Sequence, residues 1–493
     1  MSEPEAVLQK MWGFPTFRGL QKQIVDSVLA GRDTLAILPT GGGKSMCYQL
    51  PGIASDSQTL VVSPLIALMA DQVQGLESRG IPAAAILGSQ SIDEMKNRLR
   101  AFETRECRIL YVSPERLGSP VFLNRISSCK IDILAVDEAH CISQWGSMFR
   151  PSYRRISAFR KNNFPNSVMI AVTATATPAV AADVVKSLEM MRPAIFTTSI
   201  DRPNISWAVQ KPQHKRRELL QTISNLDGSK IVYCNTRRSV ERYGSWLGRL
   251  GFDVQQYHGG MTMTKRDVAL SEWMRSGASI MVSTNAFGMG IDKPDVRVVC
   301  HAGLPRNIEN FYQEAGRGGR DGKAALSVLM YNDADIARLR QLVDYSCYPP
   351  RHVRRFIRSI TNIVQLPNHI GWYKLSLPVL AKDCGMNHHD VAQLMHLLLR
   401  KQIIFGNSRD QEWLIRVARP VELRKISGEL AAYRRRSMRQ ANAMIAYLRT
   451  SVCRRRYLLN YFGEDADARC GKCSMCLNAE GSDDSSNRQY TVM

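Results

Sequence analysis

The chain has 493 residues, 44% of them hydrophobic, and its 66 Lys and Arg against 44 Asp and Glu give a formal net charge of +22. This length predicts about three or four globular domains, and this charge predicts a polyanionic partner, for which nucleic acid fits better than a membrane surface. No apolar run reaches membrane-spanning length and the acidic start at residues 1–5 does not resemble a signal peptide, so we expect no membrane partner.

Residues 1–200 alternate short apolar strands with helical segments, which is the pattern of a parallel sheet. A second block of the same kind covers residues 201–345 and begins at Asp201-Arg202-Pro203. The predicted fold class is therefore α/β, with two tandem parallel-sheet domains. The predicted strands cover residues 34–38, 59–63, 108–112, 131–136 and 168–173 in the first block, and 230–234, 253–257, 279–283, 296–301 and 325–330 in the second.

A glycine-rich loop follows the first predicted strand. Consecutive glycines let backbone N–H groups point into one concavity that holds phosphate oxygens, while a lysine supplies positive charge and a serine hydroxyl reaches Mg²⁺. A glycine cluster alone is usually only a turn, and Leu38 stands where the strict phosphate-loop pattern has glycine. The predicted phosphate-binding residues are Gly41, Gly42, Gly43, Lys44 and Ser45.

An acidic pair, Asp137 and Glu138, follows the predicted strand 131–136. Ligands of open parallel sheets bind at the carboxyl ends of strands. Asp137 can hold Mg²⁺ there, and Glu138 can orient or deprotonate water. Such a pair alone is usually a solvated strand end, but together with the glycine loop it predicts an enzyme that hydrolyses ATP.

Beyond residue 345 the chain becomes helical and strongly basic. Within residues 346–425 the sequence predicts a helix and turn at 377–385, a second helix capped by Asn387, and a hairpin with a Gly406-Asn407 turn. This order indicates a winged-helix-like segment, a common DNA-binding shape. A small helical linker with an attached hairpin is the alternative.

The last block, residues 426–480, contains a cluster of cysteines in the spacing C-x16-C-x2-C-x2-C. Such spacing lets four thiolates converge on one tetrahedral ion, and we expect a structural Zn²⁺. An iron–sulfur cluster and metal-free redox thiols are the alternatives. The predicted ligands are Cys453, Cys470, Cys473 and Cys476, and the polar tail at 481–493 is predicted to be disordered.

The other eight cysteines are scattered singly along the chain. This usage suits a reducing compartment better than a disulfide framework. We therefore expect a cytoplasmic protein, and we expect it to be a monomer.

The motifs resemble, in type and order, those of the RecQ family of superfamily-two DNA helicases along nearly the whole chain to Cys476. The resemblance implies two RecA-like domains followed by the winged-helix-like segment and a helical zinc-binding domain. It also implies ATP, Mg²⁺ and Zn²⁺ as cofactors, with single-stranded and forked DNA as partners. The matching runs are residues 14–21, 41–45, 63–65, 113–117, 137–140 and 173–177, then 233–236, 257–260, 286–294 and 313–322.

Two of these runs carry further implied roles. The first resembles the adenine-reading motif of the family, which implies that Phe14 stacks on the base and that Gln21 and Arg18 contact it. The last resembles the arginine-finger segment, which implies that Arg317 and Arg320 cross a cleft to the γ-phosphate.

The chain departs from the family in the aromatic loop after the acidic pair. Trp145 and Phe149 can stack on DNA bases and Arg150 can reach phosphate or the acidic pair. Ser147-Met148 stands where relatives usually carry His-Asp. Loss of that ionisable pair predicts unwinding that is measurable but poorly coupled to ATP hydrolysis.

A second departure is the order of segments. The winged-helix-like segment precedes the cysteines, whereas family members often place one after the zinc site. If this wing separates strands, the candidate turn is residues 406–410.

The sequence therefore predicts an ATP-dependent 3′-to-5′ DNA helicase that translocates on single-stranded DNA and unwinds duplex. Its role in DNA recombination and repair is a family-level expectation. The alternatives are a DNA-stimulated ATPase that remodels nucleic-acid complexes with little unwinding, an RNA-directed relative, and a non-catalytic DNA-binding scaffold.

Overall fold

The structure is a computed structural model that describes residues 3–39, 41–87, 90–143, 151–288, 293–346, 348–364, 372–400, 403–409, 412–417 and 420–480. The chain divides into two compact units. The first contains residues 1–332 together with 447–493, and the second contains residues 333–446.

A seven-stranded parallel sheet forms the core of the first lobe, which we define as the part of the first unit that ends at Thr197. The strand order is β3-β4-β2-β5-β6-β1-β7. The strands are β1 (Thr34–Ile37), β2 (Thr59–Val62), β3 (Ala83–Ile86), β4 (Ile109–Val112), β5 (Ile133–Val136), β6 (Val168–Thr173) and β7 (Ala194–Thr197).

Helices cover both faces of this sheet. Successive residues of β1 pack into two different apolar clusters, with Leu35 and Ile37 on one face and Ala36 on the other. Burial on both faces explains why the strands read as continuous apolar runs. The helices are α1 (Pro4–Trp12), α2 (Gln21–Leu29), α3 (Met46–Ala54), α4 (Ile66–Glu77), α5 (Ile92–Glu103), α6 (Pro120–Ile126), α7 (Arg155–Asn163) and α8 (Pro178–Ser187), with 3-10 turns at Arg116–Gly118, Ala139–Ile142 and Pro151–Arg154.

The second lobe, residues 205–332, contains a six-stranded parallel sheet of order β10-β11-β9-β12-β13-β8. Residues 198–204 connect the lobes and are called the interlobe linker below. The elements are β8 (Ile205–Gln210), α9 (Lys215–Ser224), β9 (Ser229–Tyr233), α10 (Arg237–Arg249), β10 (Val254–Tyr257), α11 (Met263–Arg275), β11 (Ile280–Ser283), β12 (Val296–His301), α12 (Ile308–Ala315) and β13 (Ala325–Met330). The predicted tandem parallel-sheet fold is confirmed.

The second unit combines helices with a three-stranded antiparallel sheet of order β14-β16-β15. Asn387 accepts a hydrogen bond from the backbone N–H of Asp390 (2.8 Å) and so caps the second of its paired helices, as predicted. Its elements are α13 (Asp333–Ser346), α14 (Pro350–Val364), β14 (Tyr373–Ser376), α15 (Leu377–Cys384), α16 (His388–Arg400), β15 (Ile404–Arg409) and β16 (Glu412–Val417), and α17 (Pro420–Arg449) begins in it.

The predicted turn at Gly406-Asn407 is wrong. Both residues lie inside β15, where Gly406 pairs with Ile415 and Asn407 with Leu414. A Cβ at Gly406 would collide with the backbone of Leu414, so this glycine permits close strand approach and does not mark a turn. The candidate strand-separating turn at 406–410 is corrected for the same reason, and Asp410 lies outside the described residues.

Two short helices, α18 (Arg454–Tyr461) and α19 (Ser474–Glu480), complete the first unit. Residues 447–480, which include the four clustered cysteines, are called the zinc module below. The described cysteines are all free thiols. The predicted domain bounds remain predictions, and the predicted tail at 481–493 lies outside the described residues. Within the part of the chain that the structure describes, no helix has the length and apolar character needed to cross a membrane.

A buried ion pair connects the start of β1 with helices and strands that come much later in the first lobe. Asp33, directly before β1, accepts two hydrogen bonds from Arg160, both 2.7 Å long. The same carboxylate accepts the backbone N–H groups of Met169 (3.0 Å) and Met191 (3.2 Å). Asp33 therefore ties α7, β6 and the approach to β7 to the start of β1.

We expect Asp33→Ala to lower the free energy of unfolding by about 3 kcal/mol, because Arg160 would keep a buried charge without its partner. Urea denaturation of the full chain measures this. Asp26→Ala is the control, since Asp26 pairs with Lys22 at an exposed helix surface, and it should cost about 0.5 kcal/mol. Equal losses in the two variants would contradict the proposed role of Asp33.

Candidate active site and metal centre

The glycine loop connects the end of β1 to the start of α3. Gly41 (φ 83°) and Gly43 (φ 71°) have left-handed backbone conformations that other residues rarely adopt. Leu38 is buried, and its N–H donates to the Thr173 carbonyl oxygen (3.0 Å). Leu38 therefore extends the strand into the core, which explains why this position carries a leucine where the strict motif has glycine.

Lys44 is half-buried among charges of both signs. Burial lowers the pKa of Lys44, while the carboxylates of Glu138 and Asp137 oppose that shift and the positive charge of Arg320 adds to it. Its ammonium lies 3.5 Å from the Leu38 and Pro39 carbonyl oxygens of the loop. Lys44 is thus held over the glycine loop, in the position from which a lysine can contact bound phosphate.

The acidic pair occupies the carboxyl end of β5, at the same sheet edge as the glycine loop. Asp137 accepts hydrogen bonds from the Ser63 hydroxyl (3.2 Å) and from the Glu138 N–H (2.9 Å). The Tyr153 hydroxyl donates to the Asp137 carbonyl oxygen (2.8 Å). Burial, followed by the negative charge of Glu138, raises the pKa of Asp137 to about 7.

Glu138 has φ 48°, a left-handed conformation that is strained for a residue other than glycine and is common at functional sites. Burial opposes its ionisation, but His140, whose Nδ1 lies 3.2 Å from the carboxylate, and the charges of Lys44 and Arg317 keep the pKa of Glu138 below its usual value. Its Oε2 is the carboxylate oxygen that lies 3.2 Å from His140 Nδ1. Glu138 is therefore an ionised carboxylate inside the cleft, held in place by His140.

Side chains from the second lobe reach the same cleft. The charge of Arg317 acts on Glu138 and that of Arg320 acts on Lys44. Arg317 is only 7% exposed and lies close enough to the Tyr233 hydroxyl for its charge to oppose the rise in the pKa of Tyr233 that burial causes. The Gln313 amide donates to the Thr175 hydroxyl (3.2 Å), which links α12 directly to the loop after β6. The structure thus brings together the lysine, the acidic pair and both arginines that the sequence singled out.

The three residues predicted to read adenine lie beside the glycine loop. The Arg18 guanidinium lies over the Phe14 ring, 5.3 Å from its centroid. The Gln21 amide donates to the Gly42 carbonyl oxygen (3.1 Å) and accepts the Arg18 N–H (2.9 Å). One N–H of Gln21 remains for a base, so its predicted role requires either that N–H or a change of partner.

The predicted DNA-contacting residues Trp145, Phe149 and Arg150 lie outside the described residues, as does the substituted pair Ser147-Met148. The same holds for residues 289–292 within the run 286–294.

The oxygen atoms around Asp137 fit a magnesium ion. Asp137 is buried, and the carboxylate of the adjacent Glu138 is half-buried beside it. Mg²⁺ is bound in nucleotide enzymes by one or two carboxylates together with substrate phosphates and water. A divalent cation would compensate the repulsion that raises the pKa of Asp137.

The four predicted metal ligands also converge. The sulfur atoms of Cys453, Cys470, Cys473 and Cys476 all lie within 4.8 Å of one another. The Cys473 sulfur lies 3.8 Å from that of Cys453 and 3.5 Å from that of Cys476. Zn–S bonds of about 2.3 Å in a tetrahedron give sulfur–sulfur distances of about 3.8 Å, so the cluster fits one zinc ion.

A second layer of contacts supports this cluster. The Arg454 N–H donates to the Cys473 sulfur (3.3 Å), and the Arg454 guanidinium is buried against the Tyr447 ring, 5.3 Å from its centroid. A hydrogen bond from Cys470 is the main cause that lowers the pKa of Cys473. The same hydrogen bond raises the pKa of Cys470, so a bound metal ion would have to displace protons from the remaining thiols.

Sequence reasoning missed several contacts at the active site. Tyr153 lies outside the matching runs, yet its hydroxyl donates to the carbonyl oxygen of Asp137. Tyr233 lies beside Arg317, and Gln313 contacts Thr175. These last four residues stand within matching runs, but only the folded chain shows which partner each one has.

Three family models match the chain. The DEAD/DEAH box helicase model matches residues 18–184, the model of the conserved C-terminal domain of helicases matches residues 214–322, and the RecQ zinc-binding model matches residues 409–477. The fold and the cleft therefore define a two-lobed helicase-type protein.

The individual relatives narrow this class. An ATP-dependent DNA helicase RecQ of Synechocystis sp. is 35% identical over 96% of this chain and 98% of its own length. The ATP-dependent DNA helicase RecQ of Pasteurella multocida is 40% identical over 68% of this chain, but this chain spans only 53% of that relative. The chain belongs to the RecQ family.

Solved structures support the fold. The structure of S. cerevisiae Dbp5 bound to RNA and ADP BeF3 matches with a TM-score of 0.55 and 18% identity, over 69% of this chain and 91% of Dbp5. At this identity the match concerns the shared fold of the two lobes.

We expect Cys473→Ala to reduce bound zinc from about one ion per chain to a small fraction of that, because three ligands cannot close the tetrahedral shell. Zinc content measured by mass spectrometry of the purified protein tests this. Cys129→Ala, at a buried cysteine far from the cluster in sequence, is the control and should keep its zinc. Full zinc retention in Cys473→Ala, or iron in place of zinc, would contradict the expectation.

Proposed function

We propose that this protein is an ATP-dependent 3′-to-5′ DNA helicase that translocates on single-stranded DNA and unwinds duplex. One observation carries the proposal: Lys44 and the pair Asp137 and Glu138 on the first lobe share a cleft with Arg317 and Arg320 of the second. Membership of the RecQ family supports DNA as the polymer. The polarity rests on family resemblance, as does a role in recombination and repair.

Each group of cleft residues has a separate role in the hydrolysis of ATP. The glycine loop and Lys44 bind phosphates, and Asp137 with the Ser45 hydroxyl would hold Mg²⁺. When bound, the ion neutralises charge on the β- and γ-phosphate oxygens. Glu138, ionised and held by His140, orients the attacking water and accepts its proton. Arg317 and Arg320 stabilise negative charge on the transferring phosphoryl group.

Movement follows because the two lobes bind opposite sides of one nucleotide. The arginines and Gln313 belong to the second lobe, so a change of charge in the cleft changes the attraction between the lobes. DNA bound across both lobes would then be stepped along. We propose that Trp145, Phe149 and Arg150 contact this strand, and that the grip on phosphates makes binding strongly salt-dependent. We also propose a cytoplasmic monomer.

We expect Glu138→Gln to lower the DNA-stimulated rate of ATP hydrolysis by at least about 100-fold, because an amide cannot accept the proton of the attacking water. Binding of ATP should remain, since the glycine loop and Lys44 are intact. Steady-state ATPase assays with single-stranded DNA and nucleotide-binding titrations measure the two effects. Glu103→Gln, at an exposed position of α5, is the matched control, and equal rates in both variants would remove the enzyme proposal.

A DNA-stimulated ATPase that remodels nucleic-acid complexes with little strand separation is the second candidate. The observation that favours it is Ser147-Met148, which replaces the His-Asp that the family usually carries. Unwinding of 3′-tailed and 5′-tailed DNA duplexes, with RNA duplexes in parallel, separates the candidates. ATP hydrolysis without strand separation on any of these substrates would favour the remodelling function.

The same pair gives a direct test of coupling. We expect the double variant Ser147→His, Met148→Asp to increase the ratio of DNA-stimulated to basal ATPase activity several-fold, because it restores an ionisable, hydrogen-bonding pair beside the DNA-contacting loop. An unchanged ratio would show that this pair does not set the coupling.

A further inference from the structure

The zinc module forms several hydrogen bonds with the interlobe linker. Glu464 accepts hydrogen bonds from the Ser199 hydroxyl (2.6 Å) and from the Ile200 N–H (2.5 Å). Lys472 donates to the Pro203 carbonyl oxygen. A segment more than 250 residues away in sequence therefore satisfies polar groups on the short connection between the lobes.

The strongest of these contacts is an ion pair between Asp201 and Arg455. Arg455 Nε lies 2.6 Å from one carboxylate oxygen, and a terminal guanidinium nitrogen contacts the other. The hydrogen bonds that Arg455 donates to Asp201 raise the pKa of Arg455. Both side chains are about four-fifths buried, so this fork-to-carboxylate pair fixes the direction in which Asp201 points.

The next residue, Arg202, contacts the segment of the second lobe that bears Arg317 and Arg320. Its guanidinium donates to the carbonyl oxygens of Gly316 (2.8 Å), Gly318 (2.7 Å) and Gly319 (3.0 Å). These carbonyls flank Arg317 and directly precede Arg320. Asn204 also donates to the Gly319 carbonyl oxygen (2.7 Å).

Residues 316–320, which bear Arg317 and Arg320, are called the arginine loop below. The geometry of this loop depends on hydrogen bonds from residues outside it. Gly316, Gly318 and Gly319 have no side chains with which to pack, and Gly319 has a left-handed φ of 57°. Glycine-rich segments lose the most conformational freedom on folding, so hydrogen bonds from a rigid neighbour have a large influence on their geometry. Arg202 supplies three of them from one planar group.

Tyr312 strengthens the same connection. Its hydroxyl donates to the Ile200 carbonyl oxygen. Its ring stacks on Trp207 (5.9 Å between centroids) and meets the Phe462 ring of the zinc module edge-on (5.2 Å). The linker, the helix before the arginine loop and the zinc module thus share one packed core.

We propose that Asp201 and Arg202 are positioning residues through which the zinc module sets the geometry of the arginine loop. Arg455 and Glu464 hold the linker, and the linker presents Arg202 to the carbonyls around Arg317. The zinc module therefore controls the rate of ATP hydrolysis without contacting nucleotide. This inference rests on the proposed ATPase function.

The experiment compares Arg455→Gln and Asp201→Asn with the control Arg456→Gln. Arg456 is the adjacent residue and also pairs with an aspartate, but its partner Asp467 lies within the zinc module. We expect kcat for ATP at saturating single-stranded DNA to fall about tenfold in the first two variants, with KM for ATP within about twofold, because misplaced arginines weaken the transition state more than nucleotide binding. The control should keep both values, and all three should keep their zinc.

The double variant Asp201→Asn, Arg455→Gln should show no larger fall in kcat than either single variant, because the two substitutions remove the same interaction.

Arg202→Lys tests the contact between the linker and the carbonyl oxygens around Arg317. Lysine keeps the charge but has no planar fork, so we expect a similar fall in kcat. Hydrogen–deuterium exchange of residues 316–322 should rise in every variant that breaks the connection and stay unchanged in Arg456→Gln, which gives a readout apart from activity.

Two results would overturn the inference while leaving the proposed function intact. One is a kcat within about twofold of the parent in both Arg455→Gln and Arg202→Lys, in a protein whose ATPase depends on Glu138. The other is unchanged exchange of residues 316–322 in those variants. A parent protein without ATPase activity would instead contradict the proposed function, and with it the claim of rate control.

Discussion

The active cleft depends on one constraint, which is that five ionisable side chains from two lobes lie close together, two of them buried and three half-buried. A single buried charge costs several kcal/mol unless it is paired. Lys44, Asp137 and Glu138 come from the first lobe, and Arg317 and Arg320 from the second. Burial pushes both the Asp137 carboxyl and the Lys44 ammonium toward their neutral forms. Three cationic and two acidic side chains leave a surplus of positive charge whether or not Lys44 and Asp137 are both neutral. This surplus matches a polyphosphate, so the cleft is best stabilised when an anion bridges it.

Parallel-sheet topology explains how the sequence could predict this site. Residues separated by about a hundred positions meet because the neighbouring strands β1, β6, β5 and β2 end at the same sheet edge. Each motif stands directly after an apolar strand, so its place in the fold follows from its place in the sequence. The last three cysteines of the metal site were predictable for a related reason, since the short spacing of Cys470, Cys473 and Cys476 keeps them close together in space.

Other features could not be read from the sequence. The strand β3 begins Ala83-Ala84-Ala85, residues that favour helices, and it forms only because the edge of the sheet offers it a partner. Gly406-Asn407 reads as a turn, yet the close backbone of Leu414 makes the glycine a strand residue. The partners of Asp201 and Arg202 lie more than a hundred residues away. Pairing across such separations is set by packing, which local patterns do not encode.

The position of the zinc module gives its metal a consequence beyond local stability. Four cysteines leave no open coordination position, so the ion itself takes no part in catalysis. Its binding energy can act elsewhere only through the residues that it holds in place. Those residues include Arg455 and Glu464, which contact the one segment that joins the lobes. Because that segment also carries Arg202, order at the metal centre extends by direct hydrogen bonds to the loop that bears Arg317 and Arg320.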